Sequence, residues 1–274
     1  MVTASYSFVM GLLSDFNRAR RAFLVAALIF AAGNAGAAEI KEEQIERRYA
    51  VSSNASLTIQ HIDGSIKIRG SDDPEIRIQA TKKAYTAERL KNMVVDVRAT
   101  SDLVSIETIV PPPNGILHLG DRSGTVDYVI TIPRTMRISR LDLNCGEVLL
   151  EGLRGGKVTA SVGNGWLVAN NCFGDLDLKA TNGRLQIAYD WWENTPFHVV
   201  ATSPEGDIRV NIPDYASAGI TAHTVDGRIV NGLPVTQEAS DTSLRSLNLV
   251  VGANPVVTFE LSSNSGDIRI NKPY

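Results

Sequence analysis

A glycine recurs every nine or ten residues across residues 141–187, and this repeat constrains the fold more than any other feature of the chain. One variable residue and then an aliphatic residue follow each glycine. The glycines are Gly146, Gly156, Gly165, Gly174 and Gly183, and the aliphatic residues are Val148, Val158, Leu167, Leu176 and Leu185. A fixed short period of this kind is typical of a stack of repeated strand units.

Two of these segments make one unit, and the unit continues beyond the best-preserved stretch. Its marker glycines are Gly146, Gly165, Gly183, Gly206, Gly227 and Gly266, and we interpret the long last spacing as two units. In the clearest units, apolar or small residues lie five and three positions before the glycine and two and four positions after it. Neither strand of a unit can bury its face alone, but like strands stacked on like strands bury a continuous core.

The repeat therefore predicts an all-β fold, namely a parallel β-solenoid. Each rung should contain two strands in roughly 18–21 residues, joined by tight turns where glycine adopts a backbone that other residues resist. Crossover chirality favours a right-handed coil. We expect one domain over residues 39–274, with the repeat clearest from 136 to 270.

The segment before the repeat shows period-two alternation, which indicates further short strands. Residues 39–46 are polar and are expected to form a tail. Residues 86–93 (TAERLKNM) are the one plausible helix, with Thr86 available as its N-cap.

The first 38 residues have the composition of a secretory signal peptide. Three arginines precede the apolar run AFLVAALIFAA, and Ala35-Gly36-Ala37 fits a cleavage site after Ala37 or Ala38. The alternative is an uncleaved membrane anchor, but the apolar run falls short of the ~20 residues that a spanning helix needs. We predict an exported protein, periplasmic or at the cell surface, with no membrane span after cleavage.

The charge of the chain argues against a nucleic-acid partner. The chain has 27 Lys and Arg against 30 Asp and Glu, and its first 38 residues hold three of the arginines and one of the acids. The remainder carries a net charge of −5 without a basic run, whereas phosphate binding needs clustered Lys and Arg. Cys145 and Cys172 are expected to lie on different layers of the solenoid and to stay unpaired.

An insertion in the repeat provides the candidate binding residues. The unit between Gly183 and Gly206 is longer than its neighbours, and the surplus falls at residues 189–197 (YDWWENTPF). Insertions in solenoids become loops on one side, often the binding side. Trp191 and Trp192 could stack on a sugar ring or a partner protein, and the alternative is that they cap a widened core.

The residues that directly follow the marker glycines should form an outward ladder of Glu147, Trp166, Arg184, Asp207 and Arg228. A ligand-binding stripe and a solvated face with paired charges both fit this pattern, and we favour the solvated face. At the C-terminus, Lys272 and Pro273 should blunt the last strand against the addition of another strand.

The chain shows no recognisable catalytic pattern, metal-ligand spacing or cofactor motif. Asp175, Asp207 and Asp267 share one position in the repeat but are expected to be separated by whole units or to lie on different sides. The histidines lack metal-ligand spacing, and no nucleophile elbow or phosphate-binding loop is present. We therefore predict no catalytic residues, no metal site and no cofactor, although a β-helix can carry an active site that forms only in three dimensions.

The order of several short motifs resembles the bacterial exported proteins known as putative adhesins, a family of uncharacterised function with degenerate β-strand repeats. The motifs are the Asp63-Gly64 turn, residues 127–133 (DYVITIP), Gly146-Glu147-Val148, Gly163-Asn164-Gly165 and Ser265-Gly266-Asp267-Ile268. The likeness covers about residues 49–270. It implies a β-solenoid of the cell envelope with no established catalytic residues.

We expect a non-catalytic, adhesin-like binding or scaffolding protein that contacts an envelope glycan or an envelope protein. The alternatives are a glycan-active enzyme on a β-helix scaffold and a purely structural or self-associating module.

Overall fold

The computed structural model describes residues 39–111, 123–233 and 245–273, so that the predicted signal peptide lies outside the described residues. From Lys41 onward, the described residues belong to one compact unit. They form sixteen strands and one short helix, which confirms the all-β prediction. The strands are β1 (Lys41–Ala50), β2 (Ser56–Ser71), β3 (Glu75–Ala84), β4 (Val94–Ala99), β5 (Leu103–Ile109), β6 (Thr125–Pro133), β7 (Arg137–Glu151), β8 (Val158–Asn170), β9 (Leu176–Ala188), β10 (Phe197–Ser203), β11 (Ile208–Asn211), β12 (Ala218–Thr224), β13 (Ile229–Asn231), β14 (Ser246–Val251), β15 (Val257–Ser263) and β16 (Ile268–Asn271).

Four long strands, β2, β7, β8 and β9, each contain one glycine with a positive φ angle. These are Gly64, Gly146, Gly165 and Gly183, with φ between 133° and 152°. Each strand bends at its glycine and continues, where the sequence predicted two short strands joined by a tight turn. The four glycines lie side by side in the ladder, and they include Gly64, which the sequence placed in a separate turn.

The bends fold the strands into two sheets that enclose one core. The first sheet has the order β4-β5-β2-β7-β8-β9-β10-β15-β12-β14, and the second has the order β1-β3-β6-β2-β7-β8-β9-β11-β16-β13. The central pairs are parallel, as predicted. Antiparallel pairs lie towards three of the four sheet edges, namely β1 with β3, β3 with β6, β4 with β5, and β12 with β14, whereas the edge strand β13 pairs in parallel with β16.

The core consists of the alternating apolar residues that the repeat predicted. Around Gly146 the buried residues are Leu141 and Leu143 before the bend and Val148 and Leu150 after it. The step of five between Leu143 and Val148 changes which alternate residues face inward, because the bend interrupts the regular alternation of the strand. The same step of five separates Val162 from Leu167 across Gly165.

The rungs do not stack in the order of the chain. The unit of β15 and β16 lies between the unit of β10 and β11 and the unit of β12 and β13. The interpretation of the last spacing as two successive units was therefore wrong. The chain reaches β12 and β13 first, returns through the antiparallel strand β14, and then fills the gap that it left.

Both ends of the chain differ from the prediction. Residues 41–46 were expected to form a tail, but they belong to β1, an edge strand that pairs with β3 through its whole length. The last strand, β16, lies between β11 and β13 and has a neighbour on each side. Lys272 and Pro273 therefore do not guard an exposed edge, and the second sheet ends instead at β13.

The predicted helix is present as α1 (Ala87–Asn92). The hydroxyl of Thr86 accepts a hydrogen bond from the backbone amide of Arg89 at 3.2 Å, which confirms its role as the N-cap. None of the residues of α1 is buried, so that the helix lies on the surface and contributes little to the core.

Candidate functional site

The insertion in residues 189–197 connects the second sheet back to the first and separates the two tryptophans. Trp191 is 42% exposed, whereas Trp192 is only partly exposed and packs against the core. The structure therefore does not bring the two candidate residues together on one surface.

Trp192 belongs to the core of the widened unit. Its ring lies 5.5 Å from that of Tyr189, 6.0 Å from that of Phe197 and 6.5 Å from that of Phe259, measured between centroids. Its indole nitrogen is buried and has no hydrogen-bond partner within residues 39–111, 123–233 and 245–273. Of the two hypotheses for the tryptophans, the one in which they cap a widened core agrees with the packing of Trp192.

Trp191 is held at the surface by its neighbours, and we call this group the Trp191 corner (Trp191, Phe173, Arg154 and Glu193). The indole nitrogen donates to Glu193 Oε1 at 2.9 Å, and the ring lies 5.6 Å from that of Phe173. Arg154 donates to Glu193 Oε2 at 2.9 Å and lies over the Phe173 ring. An exposed indole can stack on a sugar ring. The charged groups beside it can form hydrogen bonds with the hydroxyl groups of that sugar.

The two cysteines are unpaired, as predicted. Cys145 is exposed and Cys172 is buried. Burial raises the pKa of the Cys172 thiol to about 12, and the Tyr189 hydroxyl donates to the Cys172 carbonyl oxygen at 2.9 Å. Since the thiolate is the reactive form of cysteine, Cys172 acts here as a packed core residue.

One histidine lies in a buried chain of hydrogen bonds. His61 Nε2 donates to the carbonyl oxygen of Val126 at 2.8 Å, which leaves Nδ1 to accept from the Thr108 hydroxyl at 2.9 Å. The Thr108 oxygen accepts in turn from the Tyr128 hydroxyl at 2.7 Å. Burial lowers the pKa of His61 to about 4, so that the ring is neutral near pH 7.

Two carboxylates that the sequence analysis kept apart are neighbours. Because β16 inserts beside β11, Asp267 lies directly next to Asp207. The outward ladder was predicted to place Arg228 next after Asp207, and this order was wrong because Asp267 lies between them. Asp207 Oδ1 accepts from the Asp267 amide at 3.0 Å, and Asp267 Oδ1 accepts from the Arg228 amide at 3.0 Å. Each carboxylate thus bonds to the backbone of the next rung.

The described residues contain no group of three His, Cys, Asp or Glu side chains arranged to hold a metal ion. No helix within residues 39–111, 123–233 and 245–273 has the length and apolar character needed to cross a bilayer. Of the four histidines that lack metal-ligand spacing in the sequence, His61, His198 and His223 belong to the described residues and His118 lies outside them.

The family model that matches this chain is Toastrack DUF4097, over residues 56–271. The match covers most of the chain and begins and ends with the bent-strand stack. The chain belongs to the Toastrack DUF4097 family. The family match agrees with the resemblance to the putative adhesins, which was based on the same glycine repeat.

Solved structures similar to this chain come from several bacteria. A "putative cell adhesion protein" from Clostridium sporogenes is 12% identical, with 86% of this chain and 100% of that chain covered and a TM-score of 0.50. A "putative adhesin" from Bacteroides fragilis is 15% identical over 83% and 97% of the two chains, with a TM-score of 0.31. A "putative lipid binding protein" from Parabacteroides distasonis is 10% identical over 84% and 97%, with a TM-score of 0.35. The first likeness shows the fold alone, and no curated protein matches the chain.

Sequence reasoning did not single out Trp166 as a site residue, although it placed Trp166 in the outward ladder. Trp166 is 51% exposed in the middle of the second sheet, and the Arg184 guanidinium lies 5.5 Å from its ring centroid. The signal in the sequence was the position directly after a marker glycine, which faces solvent in every rung. An aromatic residue at such a position is not needed by the core.

Proposed function

We propose that this Toastrack protein is an exported, non-catalytic component of the bacterial envelope, periplasmic or at the cell surface, that acts as an adhesin-like binding or scaffolding module. The observation that carries the proposal is the Trp191 corner, where an indole is fixed in an exposed position on a rigid stack of strands. The name of the Clostridium sporogenes protein as a putative cell adhesion protein agrees with this role.

The scaffold in this proposal is a right-handed coil with rungs of roughly 18–21 residues, longer where residues 189–197 are inserted. Repeated rungs present the same side-chain positions at about 4.8 Å intervals. A rigid surface of this kind loses little conformational entropy when it binds an extended partner.

The non-catalytic part of the proposal is supported by the roles that the titratable groups already have. The carboxylates of Asp207 and Asp267 each accept a hydrogen bond from a backbone amide of the next rung. The buried histidine, His61, is bonded at both ring nitrogens within the core. A general acid or base would need an ionisable group free to exchange a proton with a substrate.

In the proposed mechanism, a pyranose ring or an aromatic side chain of an envelope partner stacks on the exposed face of Trp191. Glu193 holds the indole through its nitrogen, and Arg154 holds Glu193. Since the indole is already ordered before binding, little additional entropy is lost when the ligand stacks on it.

The Trp191→Ala variant tests this mechanism. The protein is tested for retention on a panel of envelope and extracellular polysaccharides. On the polysaccharide that it prefers, we expect retention to fall at least about fivefold, because stacking on one aromatic residue contributes roughly 1–3 kcal/mol to binding. Tyr215→Ala is the matched control, since Tyr215 is 66% exposed and lies outside the corner.

Release of shortened saccharides by the wild-type protein would contradict the non-catalytic proposal. An equal loss of retention in Trp191→Ala and Tyr215→Ala would show that the corner is not the contact. If no polysaccharide is retained at all, the corner would have to bind an envelope protein, and the same two variants would be compared in that assay.

A further inference from the structure

The outer face of the second sheet carries a second exposed aromatic group, far along the rung from the Trp191 corner. Trp166 on β8 pairs in register with Arg184 on β9, and the guanidinium lies 5.5 Å from the centroid of the indole. This stacking orders both side chains in a conformation that faces solvent. A Trp and an Arg on a flat sheet face offer an apolar surface and a cation side by side.

A second arginine extends this group towards the C-terminal rungs. Arg209 on β11 pairs in register with Gln186 of β9, two residues after Arg184 on the same outward face. Within the part of the chain that the structure describes, neither Arg184 nor Arg209 has a carboxylate within ion-pair distance. Other arginines on the same sheet do, for example Arg69 with Glu151 at 2.8 Å and Arg269 with Asp267 at 3.0 Å.

Both guanidinium groups contain an unused donor. Arg184 Nε and Arg209 Nε are each shielded from solvent and have no hydrogen-bond partner among the described residues. Arg77 Nε and Arg134 Nε are shielded in the same way, so a ligand carboxylate would bind the two terminal nitrogens of each guanidinium and not Nε. A guanidinium satisfies a carboxylate through two parallel N–H donors, and its geometry fits this acceptor better than an ammonium does.

The carboxylates on the same face have other partners. Asp207 uses Oδ1 for the Asp267 amide, and Asp267 pairs with Arg269. Glu147 is exposed and lies on the β7 side of Trp166, whereas both arginines lie on its other side. Asp207 precedes Ile208, which pairs with Leu185, so that this carboxylate lies one rung from Arg184, but no ion pair joins the two among the described residues.

A row of amides runs beside the arginines. Asn211 of β11 pairs in register with Asn271 of β16, and Asn170 of β8 lies in the same row two rungs away, across Ala188 of β9. Asparagine side chains both donate and accept hydrogen bonds, so that they suit hydroxyl groups. The face therefore combines an aromatic platform, two cations and neutral hydrogen-bonding groups in parallel rows.

We propose that this face, the Trp166 strip (Trp166, Arg184 and Arg209), binds an acidic polysaccharide of the uronic-acid class. A pyranose ring stacks against the exposed part of the Trp166 indole. The carboxylate of a neighbouring sugar accepts from Arg184 or Arg209, and the sugar hydroxyls bond to the asparagine row. The strip shares no residue with the Trp191 corner, and the inference does not depend on the function proposed for that corner.

The test compares binding of polygalacturonate with binding of its fully methyl-esterified form, which has the same sugar chain without the negative charge. Protein purified after expression of the full chain is titrated with each polymer. We expect binding to polygalacturonate and at least tenfold weaker binding to the ester. The Arg184→Gln/Arg209→Gln variant and the Trp166→Ala variant should each weaken binding to polygalacturonate about tenfold, as expected for loss of a charge-assisted hydrogen bond or a stacked aromatic ring.

The matched control is Arg137→Gln/Lys179→Gln, which removes the same two charges from exposed positions on the first sheet. An equal loss in this control would overturn the inference, because the attraction would then depend on net charge alone. Equal binding of the methyl ester, no binding of polygalacturonate, or equally tight binding of double-stranded DNA would also overturn it. Loss of binding in Trp191→Ala but not in the strip variants would assign the acidic glycan to the Trp191 corner instead. Unchanged circular dichroism and thermal unfolding in each variant establish that the fold is intact.

Discussion

Replacing Gly165 with alanine is expected to destabilise the protein by at least about 4 kcal/mol, the range reached only by severe disruptions of a core. Gly165 lies at the centre of the glycine ladder with a φ of 133°, a conformation that residues with a side chain rarely adopt. A methyl group there would overlap the carbonyl oxygen of Gly146 on the adjacent rung. Neither rung can move away without breaking the hydrogen bonds that join β7 to β8.

The control separates the steric effect from the backbone effect. Gly152 also has a positive φ, 67°, but its hypothetical methyl group would meet no atom within 4 Å. We expect Gly152→Ala to cost only about 1–2 kcal/mol, the usual cost of the left-handed conformation. Urea unfolding followed by circular dichroism measures both variants. A Gly165→Ala variant as stable as Gly152→Ala would show that the glycine ladder does not require close contact between rungs.

Acidification is expected to destabilise the protein through His61 at a pH where most carboxylates are still ionised. Burial lowers the pKa of His61 from 6.5 to about 4. As the pH falls below 6.5, the unfolded chain binds a proton that the folded chain does not bind until about pH 4. Stability due to this group is therefore complete above pH 6.5 and is lost as the pH falls from 6.5 to 4.

The expected loss from this group is about 2 kcal/mol between pH 6.5 and pH 5, since each pH unit in this window corresponds to about 1.4 kcal/mol. Glutamine is the informative replacement, because its amide can donate to the Val126 carbonyl and accept from the Thr108 hydroxyl without titrating. The stability of the wild-type protein relative to His61→Gln should fall by that amount over the window.

Denaturant unfolding at a series of pH values measures this effect. His223→Gln is the control, because His223 is exposed and does not belong to the buried chain of hydrogen bonds. Parallel pH profiles for wild-type protein and His61→Gln would contradict the expected role of His61. A pH dependence that disappears equally in His223→Gln would assign it to the surface.

The unit of the fold could be predicted from the sequence because its requirements are local. Leu141, Leu143, Val148 and Leu150 are buried around Gly146 at the offsets that the repeat predicted. The helix α1 and its Thr86 cap were predictable for the same reason, since a cap acts within one turn. The bend was not foreseen as part of a continuous strand, because a glycine signals a permissive backbone and not the particular conformation it adopts.

The site was predictable only in part. The longer spacing before Gly206 located the insertion and its two tryptophans, but only the packing showed that Trp192 joins Tyr189, Phe197 and Phe259 while Trp191 faces solvent. Arg184 and Arg209 are 25 residues apart and look unrelated in the sequence. They lie on adjacent rungs because β9 pairs with β11.

The sequence by itself determined the character of the chain: short strand segments with a glycine between them, a continuous apolar core, and an outward position after every glycine. These features follow from side-chain hydrophobicity and backbone conformation within one unit. Only the tertiary structure decided which unit lies beside which. The unit of β15 and β16 lies between the unit of β10 and β11 and the unit of β12 and β13, although it comes last in the chain, and β6 pairs with both β2 and β3. Rungs are joined by backbone hydrogen bonds, which every residue except proline can both donate and accept. Similar units can therefore pair in several orders, and the order depends on contacts that no local stretch of sequence contains.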